Sequence, residues 1–101
     1  MSTLHTVNKS PFATQSLQSC LNHAKAGDAV LMIEDGVYGA ATGTTLAAAV
    51  EAANGISIYA LAGDLDARGI AASRLIKGVT TVDYQGFVSL AAEHERAQAW
   101  L

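Results

Sequence analysis

The most nucleophilic side chain this sequence can offer is its one cysteine, Cys20. Leu17, Cys20, Leu21 and Ala24 recur at helical spacing once Pro11 has broken the preceding segment, so the spacing predicts a helix starting near Thr14 with Cys20 in its second turn. There Cys20 borders the apolar stripe, and two uses of it are open. It can pack as a small hydrophobe, since free cysteine is among the most buried residue types. It can also act as a thiolate, the form that attacks the sulfur of a disulfide or persulfide. His23 stands three residues on, on the same helix edge, where an imidazolium would favour the thiolate. The helix N-terminus, one turn back, adds a partial positive charge.

The remaining candidates carry less chemistry. His5 falls on the first predicted strand and reads as a hydrogen-bonded core histidine or as a group near the strand end. His94 is isolated on the last helix, on an exposed side. Lys9 and Ser10 follow a strand, but the phosphate-cradling Gly-x-x-x-x-Gly-Lys-Ser/Thr pattern is missing, so they are expected to fix a turn or meet a partner. Glu34 and Asp35 are adjacent, and adjacent strand residues point to opposite faces, which argues against a shared carboxylate site. Asp35 is expected to cap the turn that follows. Gly36, Gly39 and Gly43 do not match the dinucleotide fingerprint, and Asp64 and Asp66 read as helix-start acids. A single cysteine excludes an internal disulfide and any multi-cysteine metal site. No cofactor and no metal is expected.

These residues are positioned by an alternation of short apolar runs and helical patterns. Thr3–Val7, Ala29–Ile33, Ile56–Leu61 and Val79–Val82 have strand length and composition. The run Ala29–Ile33 is unbroken, as expected of a strand buried on both faces. Between them lie the first helix, a small glycine-punctuated segment over residues 37–43, a helix over Leu46–Ala53 capped by Thr44 or Thr45 and stopped by Asn54-Gly55, and a single helical turn over Gly63–Arg68 ended by Gly69. From Asp83 a last helix is predicted with Tyr84, Phe87, Val88 and Ala91 on its packed face. Alternating strands and helices imply βαβ units. The fold expected is a single α/β domain over residues 1–101, a three-layer α/β/α Rossmann-like arrangement with a mostly parallel sheet of four or five strands.

Composition narrows the function classes. Of 101 residues, 50% are hydrophobic and only 15% charged, below the roughly 25% usual for soluble domains. A surface so short of charge is expected to face other subunits. The nearly all-apolar helix over Leu46–Ala53 points the same way, and the terminal Trp100-Leu101 is expected to dock in a partner's groove. A net charge of −3, with six basic residues in no run, argues against direct nucleic-acid binding. No apolar run approaches the ~20 residues that cross a bilayer, and the start of the chain lacks the pattern of a signal peptide. A cytoplasmic location is expected, where a lone thiol stays reduced.

Five blocks of the chain, in order, also carry a resemblance. They are Leu4-His5-Thr6-Val7-Asn8-Lys9-Ser10-Pro11-Phe12, Glu34-Asp35-Gly36-Val37-Tyr38, Asp64-Leu65-x-Ala67-Arg68-Gly69, Val82-Asp83-Tyr84-x-Gly86-Phe87-Val88 and the ending Gln98-Ala99-Trp100-Leu101. Together they resemble the DsrH/TusB family of the DsrEFH and TusBCD sulfur-relay complexes. The resemblance implies a subunit of a cytoplasmic sulfurtransferase heterohexamer, paired with DsrE- and DsrF-type paralogues and serving a small sulfur-carrier protein. It implies that the principal sulfur-accepting cysteine lies on another subunit, which leaves open whether this chain is itself catalytic. DsrH-type members characteristically carry a cysteine at the position of Cys20, whereas many TusB-type members do not. Cys20 therefore favours a sulfur-carrying thiol in a persulfide relay of sulfur oxidation, with His23 as a tuner. The alternatives are a TusB-like subunit for 2-thiolation of tRNA wobble uridine, or a structural subunit with Cys20 inert.

Overall fold

The structure, a computed structural model, describes residues 2–44, 47–53 and 55–101. Five strands form one all-parallel sheet in the order β4-β3-β2-β1-β5: β1 (Thr3–Val7), β2 (Ala29–Met32), β3 (Ser57–Leu61), β4 (Val79–Val82) and β5 (Arg96–Trp100). β2 is central and all four of its residues are buried, as an uninterrupted Ala-Val-Leu-Met run requires. β4 and β5 are the edges and are largely exposed.

Helices cover the two faces unequally. On one face Val7, Val30, Met32, Ile58 and Ala60 pack beneath α1 (Ser16–His23), α2 (Ala47–Glu51), α3 (Ala62–Ala67) and a 3-10 helix over Glu34–Ala40. On the other, Leu4, Ala29 and Leu31 pack against Leu90 and Phe87 of α4 (Tyr84–Glu93). The result is the α/β/α layering expected of the alternating pattern.

Several elements differ from expectation. Arg96–Trp100 is a strand, hydrogen-bonded in parallel to β1, where Trp100 was expected to dock in a partner's groove. The free edge of β1 imposes this, because Arg-Ala-Gln-Ala-Trp has no strand pattern of its own. α4 turns Leu90 and Phe87 inward, whereas Tyr84 and Val88 are 72% and 52% exposed. Asp83 caps it, Oδ1 accepting from Gly86 N–H at 2.7 Å. Asp35 caps nothing; it accepts a hydrogen bond from Arg68 Nε at 2.9 Å. His94 is half-buried, its Nδ1 donating to Leu90 O at 2.7 Å. Ser10 fixes a turn, its Oγ accepting from Phe12 N–H at 3.1 Å. The predicted helix over Leu46–Ala53 is described only as Ala47–Glu51, and Thr45, Leu46 and Asn54 lie outside the described residues. Thr44 Oγ1 is buried without a hydrogen-bond partner, so the Thr44 side chain does not cap that helix.

The chain turns tightly from β2 into the 3-10 helix, and Gly36 is the point of closest approach. A Cβ there would lie 2.0 Å from the carbonyl oxygen of Val7, a backbone atom that cannot move aside. Gly63, in α3, has open space around the same position. Gly36→Ala is expected to lower unfolding stability by roughly 2–3 kcal/mol, the cost of overpacking, while Gly63→Ala is neutral or gains about 0.5–1 kcal/mol from helix propensity. Urea unfolding of both variants checks the pair.

Candidate functional site

Two adjoining groups can be built from the covered face of the sheet: the thiol of Cys20 and a polar chain around His5. β1 points Thr3, His5 and Val7 toward α1, because strand residues alternate between faces. Pairing Leu4 with Ala29 brings Asp28, one residue before β2, beside Thr3. Pairing Val7 with Trp100 puts the indole on the same face as His5.

The side chains then connect in a line. Trp100 Nε1–H donates to His5 Nδ1 at 3.0 Å, and His5 Nε2 donates to Asp28 Oδ2 at 2.9 Å. Indole nitrogen can only donate, so Nδ1 must be the bare nitrogen and the Nε2–H tautomer is fixed by the network. Asp28 also accepts from Thr3 N–H on Oδ1 and from Lys25 N–H on Oδ2, each at 3.1 Å. His5 is 2% exposed and Asp28 7%, yet the carboxylate still borders an open cleft of about 350 Å³ lined by Thr3, His23, Lys25 and Arg96. Burial alone would push the Asp28 carboxyl up; the hydrogen bonds from His5, Lys25 and Thr3 outweigh it and hold it below its usual range.

Cys20 sits in the core, 0% exposed, among Leu17, Val30 and Met32. Burial pushes its thiol up to about 12, and the negative charge of Asp28 adds to the shift. Both effects oppose the thiolate. In this fold the thiol is protonated at neutral pH and shielded from solvent. The structure does not bring His23 to it as a tuner. His23 is exposed, with its ring edge-on to His5 at 6.3 Å and to Trp100 at 5.7 Å between centroids. It stands at the rim of α1, whereas Cys20 points to the sheet.

At the opposite end, beyond the carboxyl ends of β1, β2 and β3, lies a second cleft of about 330 Å³. Phe12, Tyr38, Arg68 and Arg74 line it, and Arg68 is paired with Asp35 and Asp64. This is where open parallel sheets place ligands, but Cys20 lines neither cleft. Among the described residues, no group of three or more His, Cys, Asp or Glu could hold a metal ion, and no helix is long and apolar enough to cross a membrane. Sequence reasoning missed Asp28 and Trp100. A histidine on a buried strand needs a donor and an acceptor, and Asp28 at the mouth of the neighbouring strand was the available signal.

An all-parallel five-stranded sheet with a sealed thiol and a histidine–carboxylate–indole chain defines a small protein of the α/β class. Solved structures share that fold: the ychN protein of Escherichia coli superposes with a TM-score of 0.80 at 17% identity, covering 98% of this chain and 99% of that one. The protein MTH1491 of Methanobacterium thermoautotrophicum gives 0.69 at 14% identity over 91% of each. Residues 9–97 match the family model described as DsrH like protein. Protein TusB of Escherichia coli O81 (strain ED1a) is 35% identical over 97 residues, 96% of this chain and 99% of the relative. Protein TusB of Pectobacterium parmentieri is 33% identical over the same span. The chain belongs to the DsrH/TusB family.

Asp28→Asn leaves at least one buried N–H facing an amide NH2 and is expected to cost about 1–3 kcal/mol at pH 7. Because the folded carboxyl titrates below its unfolded value of 3.8, this advantage of the wild type is complete above that pH and fades as the pH falls through the lower folded value. Urea unfolding at pH 7 and at steps below pH 4 should show the gap closing. A gap that stays constant would contradict the assignment.

Proposed function

We propose that this chain is the TusB-type subunit of a sulfur-relay complex that serves 2-thiolation of tRNA wobble uridine. In this proposal it completes the assembly and does not itself carry sulfur. The relatives named TusB support the first half, since they match almost the whole chain at 33–35% identity. The observation that carries the second half is the burial of Cys20, 0% exposed with its thiol pushed up to about 12. A relay thiol must reach a donor sulfur as the thiolate. The presence of Cys20 is what favoured a DsrEFH-type role in sulfur oxidation, and a sealed thiol removes most of that support.

The partners that follow are paralogous subunits, one of which bears the sulfur-accepting cysteine, and a small sulfur-carrier protein. Support for assembly comes from the surface: Phe12, Tyr84, Val88 and Leu101 are all more than half exposed on a chain with few charges. The cytoplasm is where such a relay would work.

Deleting the gene is expected to abolish wobble-uridine 2-thiolation, read by nucleoside mass spectrometry of bulk tRNA, and a Cys20→Ala copy is expected to restore it. Unchanged thiolation in the deletion strain, with loss of sulfur oxidation instead, would refute the pathway. A folded, assembled Cys20→Ala subunit that fails to restore thiolation would refute the non-carrying role.

A further inference from the structure

We propose that Trp100 is a latch: its release from His5 opens the covered face locally, without global unfolding, and exposes Cys20. The inference goes beyond the subunit role proposed above and does not depend on it.

The argument begins with where β5 sits. It is an edge strand whose ladder runs to β1, and Arg96 to Ala99 are all exposed. Trp100 is its one partly buried side chain. On the covered face, α1 lies over β1 and the core continues toward β2 and β3 beneath α2 and α3. Among the described residues, no further helix follows toward β5. The indole of Trp100 closes that side, packing against the core group that contains Cys20. It is held there by the Nε1–H bond to His5 and by the edge-on ring of His23, one helical turn after Cys20.

Beyond its ladder to β1, the strand end has an exposed contact with α1. Ser16 Oγ donates to Leu101 O at 3.3 Å in exposed surroundings, and Leu101 itself is 83% exposed. Edge segments with few buried apolar groups open at the low end of the local stability scale. β5 is such a segment, and its Trp100 packs against the core group that contains Cys20.

The probe is a soluble aromatic disulfide reagent applied to the intact protein. The Cys20 thiolate attacks one reagent sulfur, the reagent's S–S bond breaks, a mixed disulfide forms on Cys20, and one coloured thiolate leaves. The proton lost by the thiol goes to solvent. In the wild type, labelling in low urea should depend on urea much more weakly than global unfolding does, the mark of a local opening. Trp100→Phe, which keeps a ring and loses the hydrogen bond, should label up to about tenfold faster. Trp100→Ala should label faster still. Leu90→Ala, a control on the other sheet face, lowers global stability and should leave low-urea labelling unchanged.

Wild-type labelling that tracks global unfolding at every urea concentration would overturn the latch. Equal acceleration by Leu90→Ala and Trp100→Phe would overturn it too. If Trp100→Ala does not fold, the wild-type urea dependence and Trp100→Phe still decide the question.

Discussion

The carboxylate of Asp28 is the fixed point of this molecule. It accepts three N–H groups, from Thr3, Lys25 and His5, so the loop before β2, the start of β1 and a core side chain share one anchor. A buried carboxylate without such partners would be costly, and with them it ties together segments far apart in the chain. His5 extends the tie. A neutral imidazole has one donor and one acceptor, and both are used, toward Asp28 and toward Trp100. The last strand is thereby joined to the first through a side chain as well as through the ladder.

The same chain sets the character of the thiol beside it. A cysteine in apolar packing is a weak acid, and a carboxylate nearby makes it weaker. Activating Cys20 would require solvent or a cation where the fold supplies neither. Stability and reactivity are therefore opposed at this site: the close packing and the carboxylate that stabilise the fold also silence the thiol. The cleft at the carboxyl ends of the strands, where an α/β sheet usually places its chemistry, has two arginines, Arg68 and Arg74, and is not lined by the cysteine.

Much of the fold was legible in the sequence. β1 and β4 occupy the residues their composition indicated, and β2 and β3 start or stop within one residue of it. Apolar runs bounded by Gly, Asp and Pro leave little choice of register. β5 was not legible, because its strand state comes from the unpaired edge of β1 and not from Arg96–Trp100. The packed face of α4 was misassigned for a related reason. Phe87 packs as expected, but Tyr84, Val88 and Ala91 also fall at helical spacing, and only the position of Leu4 and Leu31 on the sheet selects Leu90 in their place. For the site, a helical wheel located Cys20 beside an apolar stripe but could not show whether solvent reached it. His23 was placed at i+3 correctly, yet spacing says nothing of which way its ring turns. Asp28 and Trp100 act through contacts across 23 and 95 residues of chain, beyond the reach of any local pattern.

The central claim is that the Asp28–His5–Trp100 chain closes this fold, and imidazole nitrogen NMR tests it most directly. Long-range nitrogen–proton spectra of His5 in the native protein should show a protonated Nε2 and a bare Nδ1, with the Trp100 indole proton protected from exchange. A protonated Nδ1 in the neutral ring, or an indole proton that exchanges as fast as in a free peptide, would contradict it.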